Sequence, residues 1–290
     1  MGRAAELGYT ALAITDECSV AGVVRAHRAA LECGIRLIIG SEFCLDDGLR
    51  LVILPVNRHG YAQLCALITH ARRAAPKGHY HLGRTDLLDG LSDCRLLWLA
   101  GEDLCCGDAD WLQRVFPGRI WLAVELKAEA DNHKKIYKYK EFSNKTSVPL
   151  VACGDVHMHV RGRRALQDTV TAIRLGVTLQ RAGMQLHANG ERYLKSRQRM
   201  GRLYPPELLA ATLELCAQLD VCLDQLSYQY PCELVPAGYT AAGWVRGLTE
   251  EGKRWRWPGG VSDQVNQQIE RELQLISELH YEPYFLTVHD

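Results

Sequence analysis

The sequence predicts an α/β protein in which parallel β/α units build a barrel or a doubly wound sheet. Three observations lead there. Short apolar runs alternate with stretches of helical periodicity along the first half of the chain. The runs are apolar at consecutive positions, as strands covered on both faces are. Carboxylates and imidazoles stand just beyond several of them, where such folds collect their chemistry.

Residues 3–8 read as the end of a helix closed by Gly8, and "YTALAIT" as a short buried strand with Asp16, Glu17 and Ser19 at its exit. "VAGVVRAHRAALECG" carries apolar residues near positions 20, 23, 24 and 31 and predicts an amphipathic helix stopped at Gly34. "IRLIIG" is the next strand, and Glu42 stands beyond it in "GSEF". "LRLVILP", "CRLLWLAG", "RIWLAVEL" and "VPLVACGD" complete the strands, with helices in "HGYAQLCALITHARRAA" and "DLCCGDADWLQRVFPG". The chain opens on a helix, as though an initial strand were absent. Beyond residue 160 the pattern turns helical: "RRALQDTVTAIRLG", "PPELLAATLELCAQL", and "VSDQVNQQIERELQLISELHY" with Val265, Ile269, Leu273, Ile276 and Leu279 on one face. The segment from about residue 200 reads as an appended helical region.

The 290 residues suffice for one large domain or a domain with an appendage. The eleven cysteines form no CxxC pair and read mostly as small buried hydrophobes of a reducing compartment. With no apolar run of membrane-spanning length and no signal-peptide pattern, a cytoplasmic location is expected. Net charge is zero, but ten Lys or Arg against two acids lie between Arg161 and Arg202, which suits phosphate backbones or a plain solvated surface. Residues 127–145 hold six of the nine lysines and read as a solvated helix and loop.

Three strand exits carry metal-competent side chains: Asp16-Glu17, Glu42, and Asp155-x-His157. In a barrel they converge on one rim, and mixed carboxylate and imidazole donors suit Zn, Mn or Fe ions that bridge a phosphate and activate water. Asp16 equally suits the N-cap of the helix that follows. No GxSxG, Walker loop or GxGxxG is present.

"AAELGYTALAITDECSVAGVVRAHRAA", "IIGSEF", "GDVHMHVRGRRALQDTVTAIRLG", "NGERYLKSRQRM" and "YEPYFLTVHD", taken in order, resemble the N-terminal part of bacterial error-prone DNA polymerases, C-family relatives of the polymerase III alpha subunit. The resemblance covers nearly the whole chain apart from 127–145. It implies an α/β fold: a PHP-type distorted (β/α) barrel over residues 1–185, incomplete at the N-terminus. A mostly helical region, 186–290, then leads toward a polymerase palm.

The family's metal site is assembled from several motifs. The resemblance places an initial HxH before this chain, and in the second motif, here "TDEC", Glu17 stands where a histidine is usual. The third motif's glutamate is matched by Glu42, while a following histidine falls near Arg50, which cannot ligate as a cation. The last motif matches Asp155 and His157, and His159 has no family role. The resemblance thus implies a degenerate metal set of Glu17, Glu42, Asp155 and His157, taking at best one Zn- or Mn-type ion.

For the parent family the resemblance implies DNA-directed, Mg2+-dependent nucleotide addition across damage, with DNA, the sliding clamp and mutasome proteins as partners. Arg161, Arg163 and Arg164 are the candidate nucleic-acid contacts. The palm aspartates fall beyond Asp290, so this stretch by itself is expected not to catalyse, its PHP region being structural. A free-standing PHP phosphoesterase and a non-enzymatic interaction module with an open barrel edge are the other readings.

Overall fold

The computed structural model describes residues 1–101, 104–127, 131–226 and 234–290. Two compact units are present, Met1–Leu226 and Ser227–Asp290. The first therefore runs past residue 185 and includes helices from the region beginning at 186.

In the first unit, α1 (Gly2–Glu6) and α2 (Val23–Cys33) flank two parallel strands, β1 (Ala11–Ile14) and β2 (Arg36–Ile39). Gly34 ends α2 in the left-handed conformation, with φ 63°, as its place in the sequence predicts. Asp16 does not cap α2, whose N-cap is Gly22. Its main-chain carbonyl instead accepts hydrogen bonds from the Ser41 hydroxyl at 2.7 Å and the Glu42 N–H at 3.2 Å.

The expectation of wholly parallel strands fails at "GSEFC". Ser41–Cys44 is itself a strand, β3, antiparallel to β4 (Arg50–Pro55). The link is residues 45–49, closed by a 2.8 Å bond from Leu45 N–H to the Leu49 carbonyl. So short a link can only turn the chain back, whereas a parallel pairing needs a crossover of a dozen or more residues. β4 is also antiparallel to β5 (Cys94–Trp98), while β5, β6 (Ile120–Glu125) and β7 (Leu150–Cys153) run parallel.

The two sheets are continuous through the bend at Gly40. The chain beyond β1 keeps pairing with β3: Glu42 N–H donates to Asp16, and Cys18 N–H donates to the Glu42 carbonyl at 2.8 Å. A Cβ added at Gly40 would meet Leu54 Cδ2 at 2.6 Å and the Ile53 carbonyl oxygen at 2.9 Å. Gly40→Ala is expected to cost about 2 kcal/mol through this overpacking. A lower urea midpoint at unchanged slope would show it.

The central strands are apolar through most of their length because both faces are covered, with Arg50, Arg95 and Glu125 as their charged residues. On one face Phe43, Leu51, Ile53, Leu96, Trp98, Leu122 and Val124 are buried with side chains of α3 (Arg58–Arg73), α4 (Cys106–Val115) and α5 (Asn132–Thr146). After these come α6 (Arg164–Leu175), the short α7 (Leu179–Ala182), α8 (Arg197–Leu203) and α9 (Pro206–Ala217). Leu215 of α9 and Leu219 cover Val52, Leu54, Leu97, Ala123 and Val151 on the other face. α9 is thus a layer of the first unit and not an appendage to it. The lysine-rich segment also does more than face solvent: α5 buries Tyr139 and Phe142, the latter edge-on to Trp98 with ring centroids 5.8 Å apart. Residues 128–130 of that segment lie outside the described residues.

The cysteines depart from expectation. Of ten described free cysteines, Cys18 and Cys94 are buried, three are exposed and the rest are half-buried.

The second unit contains α10 (Ala241–Arg256), α11 (Asp263–Glu278) and α12 (Glu282–His289). The Thr240 and Ser262 hydroxyls cap α10 and α11 by accepting from Gly243 and Val265 N–H. Val265, Ile269, Leu273 and Ile276 are half-buried along α11 as the periodicity predicts, while Leu279 stays 51% exposed. Arg246 of α10 forks onto Glu270 of α11 at 2.8 and 2.9 Å. No helix among the described residues is long and apolar enough to cross a membrane.

Candidate functional site

β3 presents Glu42 on one face and buries Phe43 on the other, by the strand's period of two. The Glu42 carboxylate is held by the Arg50 guanidinium, which donates from Nε at 3.2 Å and also from its NH2 group. Glu17, joined to Glu42 through the backbone, accepts from the Tyr80 hydroxyl at 2.9 Å. That hydroxyl in turn accepts from Cys44 N–H at 2.8 Å.

At the far end, β7 stops at Cys153 and the chain turns through Asp155, whose φ of 45° is in the left-handed region that Asp tolerates better than most residues. The turn brings its carboxylate back onto His157: Oδ1 lies 3.0 Å from Nε2. Oδ2 takes Lys127 Nζ at 3.3 Å and, more closely, the guanidinium of Arg192. Arg192 is positioned because its carbonyl accepts from both His157 and Met158 N–H, at 2.9 and 3.0 Å. The segment then continues along Met158, while Leu194 packs into the β1–β2 cluster and the Lys195 carbonyl accepts from the Tyr9 hydroxyl at 2.8 Å. Residues 192–195 thereby link the β7 exit with the residues before β1.

These groups share one electrostatic environment. Burial pushes the His157 imidazole below its ordinary pKa; Glu42 and Glu125 oppose that push, and Lys127 and Arg174 reinforce it. Glu125 also acts on Arg50. Asp155 and His157 meet directly, and Glu42 acts on His157 from within β3, not from a strand exit, with Glu17 reaching Tyr80 beside Glu42. Three participants escape the strand-exit argument: Glu125, Lys127 and Arg192. Glu125 ends β6, so the same strand-exit rule could have found it. Arg192, 37 positions after Asp155, has no local signal.

The donors present do not fit the metal cluster that the family's motifs imply. Glu42 is bonded to Arg50, both oxygens of Asp155 are engaged, and Glu17 is bonded to Tyr80. Among the described residues, no three metal-competent atoms at these strand ends lie within 4.8 Å of one another. Arg50, Lys127 and Arg192 supply the positive charge instead, and a protein cation against a carboxylate offers no activated water.

Part of the basic stretch is paired within the protein, although eight of its ten cations are exposed and only Lys195 is buried. Glu191, only 5% exposed, is approached by Arg161 at 3.6 Å, Lys195 at 3.9 Å and Arg199 at 3.1 Å. Arg164 lies 3.5 Å from Asp168 and donates to the His187 carbonyl at 3.2 Å. Arg163 is exposed on the 3-10 turn that opens α6.

The PHP domain model matches residues 1–147, and the Bacterial DNA polymerase III alpha NTPase domain model matches residues 243–290. The error-prone DNA polymerase of Dechloromonas aromatica is 51% identical over 293 residues, covering 99% of this chain and 28% of that protein. Its counterpart in Pseudomonas paraeruginosa is 53% identical over 290 residues, with the same coverage, and that of Methylococcus capsulatus is 49% identical over 291. The chain thus spans 28% of the length of the curated relatives it matches. A solved structure from Bifidobacterium adolescentis overlaps 53% of this chain and 79% of its own, at 10% identity and a TM-score of 0.39, too slight to carry an argument. With half of its residues matched by one domain model, this chain belongs to the PHP domain family.

Proposed function

We propose that the chain is the PHP-bearing part of an error-prone DNA polymerase that works in the cytoplasm in damage-induced, mutagenic DNA synthesis, and that its PHP region is a scaffold. The observation that carries the reading is about 50% identity to such polymerases along 99% of the chain. DNA is then the substrate, contacted in part through Arg161, Arg163 and Arg164. Mg2+ serves nucleotide addition in the polymerase region, and the sliding clamp and mutasome proteins are the partners. The scaffold role is supported by Arg50, Lys127 and Arg192, each bonded to a carboxylate that a hydrolase of this family would offer to metal.

The test has two arms. With Mn2+ or Zn2+ the chain is expected to hydrolyse p-nitrophenyl phosphate no faster than its His157→Ala variant. A longer polypeptide carrying the polymerase region is expected to extend a primer past an abasic site with Mg2+, where residues 1–290 alone add no nucleotide. Sustained metal-dependent turnover that His157→Ala abolishes would establish the free-standing phosphoesterase instead.

A further inference from the structure

We propose that His27, Cys222 and Asp224 form a transition-metal site that takes Zn2+ in preference to Mg2+ or Ca2+. It lies away from the strand-end carboxylates and does not depend on the polymerase reading. His27 comes from α2; Cys222 and Asp224 come from the 3-10 turn Leu223–Gln225 and the residue before it. His27 Nε2 lies 3.1 Å from Asp224 Oδ1 across 197 residues of chain, and Cys222 Sγ lies 3.3 Å from Asp224 Oδ2.

One donor atom from each of the three lies within 4.8 Å of the others. Bond lengths of about 2.0 Å for nitrogen or oxygen and 2.3 Å for sulfur give tetrahedral edges of roughly 3.3–3.5 Å for this donor set. An ion can therefore be reached by small side-chain adjustments, and among the described residues this is the only such group.

The donor set selects the ion. A thiol with an imidazole suits a borderline-soft cation, while Mg2+ and Ca2+ require oxygen ligands. The side chains are accessible without being loose: Asp224 is 66% exposed and His27 is 16% exposed. On binding, the Cys222 S–H bond breaks, its proton passes to solvent, and the thiolate joins the neutral imidazole and the carboxylate, leaving one position for water. The ion would tie α2 to the segment that ends the first unit. It would thereby raise that unit's stability by mass action.

Co2+ added to the chain is expected to give one equivalent of thiolate-to-metal charge-transfer absorption, and Zn2+ to compete with a chromophoric chelator. Cys222→Ser should abolish the absorption and weaken Zn2+ at least about tenfold, the lower end of what even supporting residues contribute to metal affinity. Cys33→Ser and His157→Ala should leave both readouts unchanged. Should Cys222→Ser fail to fold, Asp224→Asn at the exposed position carries the same chelator competition. Absence of the absorption, its persistence in folded Cys222→Ser, or unaltered Zn2+ affinity in Asp224→Asn would overturn the site.

Discussion

Replacing Asp155 by asparagine is expected to lower stability by about 3 kcal/mol, in the range for breaking a buried ion pair from one side. Asp155 is 10% exposed, Arg192 15% and Lys127 23%, so solvent screens their charges little. Without the carboxylate, both cations lose their acceptor on Asp155, though Lys127 keeps Glu125 Oε2 at 3.7 Å. Asparagine is the informative substitution because it tolerates the φ of 45°, whereas alanine there adds a backbone cost of about 1 kcal/mol. The check is urea unfolding of the single variant beside Asp155→Asn/Arg192→Met, in which the second change removes one cation. The pair should cost less than the sum of the two single changes, since they share one interaction. Chelator treatment should leave the strand-end contribution untouched, because protein cations occupy that place.

Tyr204→Ala is expected to cost about 4 kcal/mol, the scale of emptying a large aromatic site, and Tyr204→Phe about 2 kcal/mol by hydrogen bonding alone. Tyr204 is 3% exposed and ends α8, where its ring joins the main core. Its hydroxyl accepts from Leu126 N–H at 2.9 Å and donates to the Cys153 carbonyl at 2.6 Å. These are the first residue beyond β6 and the last of β7, so one side chain holds two parallel strand ends that carry Glu125, Lys127 and Asp155. Phenylalanine keeps the packing and strands a buried donor and acceptor; alanine loses both. Thermal unfolding of the two variants separates the terms. Equal losses in both would place the whole effect in the hydroxyl.

Much of the fold is legible in local pattern. The run Leu51–Pro55 in "LRLVILP" is apolar at every position because α3–α5 cover one face and α9 the other. The glycine stop after "RAALEC" and the periodic face of α11 need only neighbouring residues to be read. The hairpin at "GSEFC" is less legible: four residues with one central aromatic give too short an alternation, and only the pairing with β4 shows it to be a strand. The cysteines mislead for a related reason, since a half-buried thiol and a buried one look alike in sequence.

The site divides in the same way. Sequence by itself determined the strand exits that bear Glu17, Asp155 and His157, because a side chain's place at a strand's exit is set within a few residues, whereas the pairing with β4 was needed to place Glu42 inside a strand. It also determined that Arg50 could not be a ligand, since a guanidinium keeps its proton. What those carboxylates bind was decided by tertiary structure alone. Arg192 reaches Asp155 through backbone hydrogen bonds to residues 157 and 158, and Lys127 arrives from just beyond the end of β6. His27 meets Cys222 and Asp224 across nearly the whole first unit. Charge balance at a site is a sum over whatever the fold brings within a few ångströms, and that sum has no local pattern.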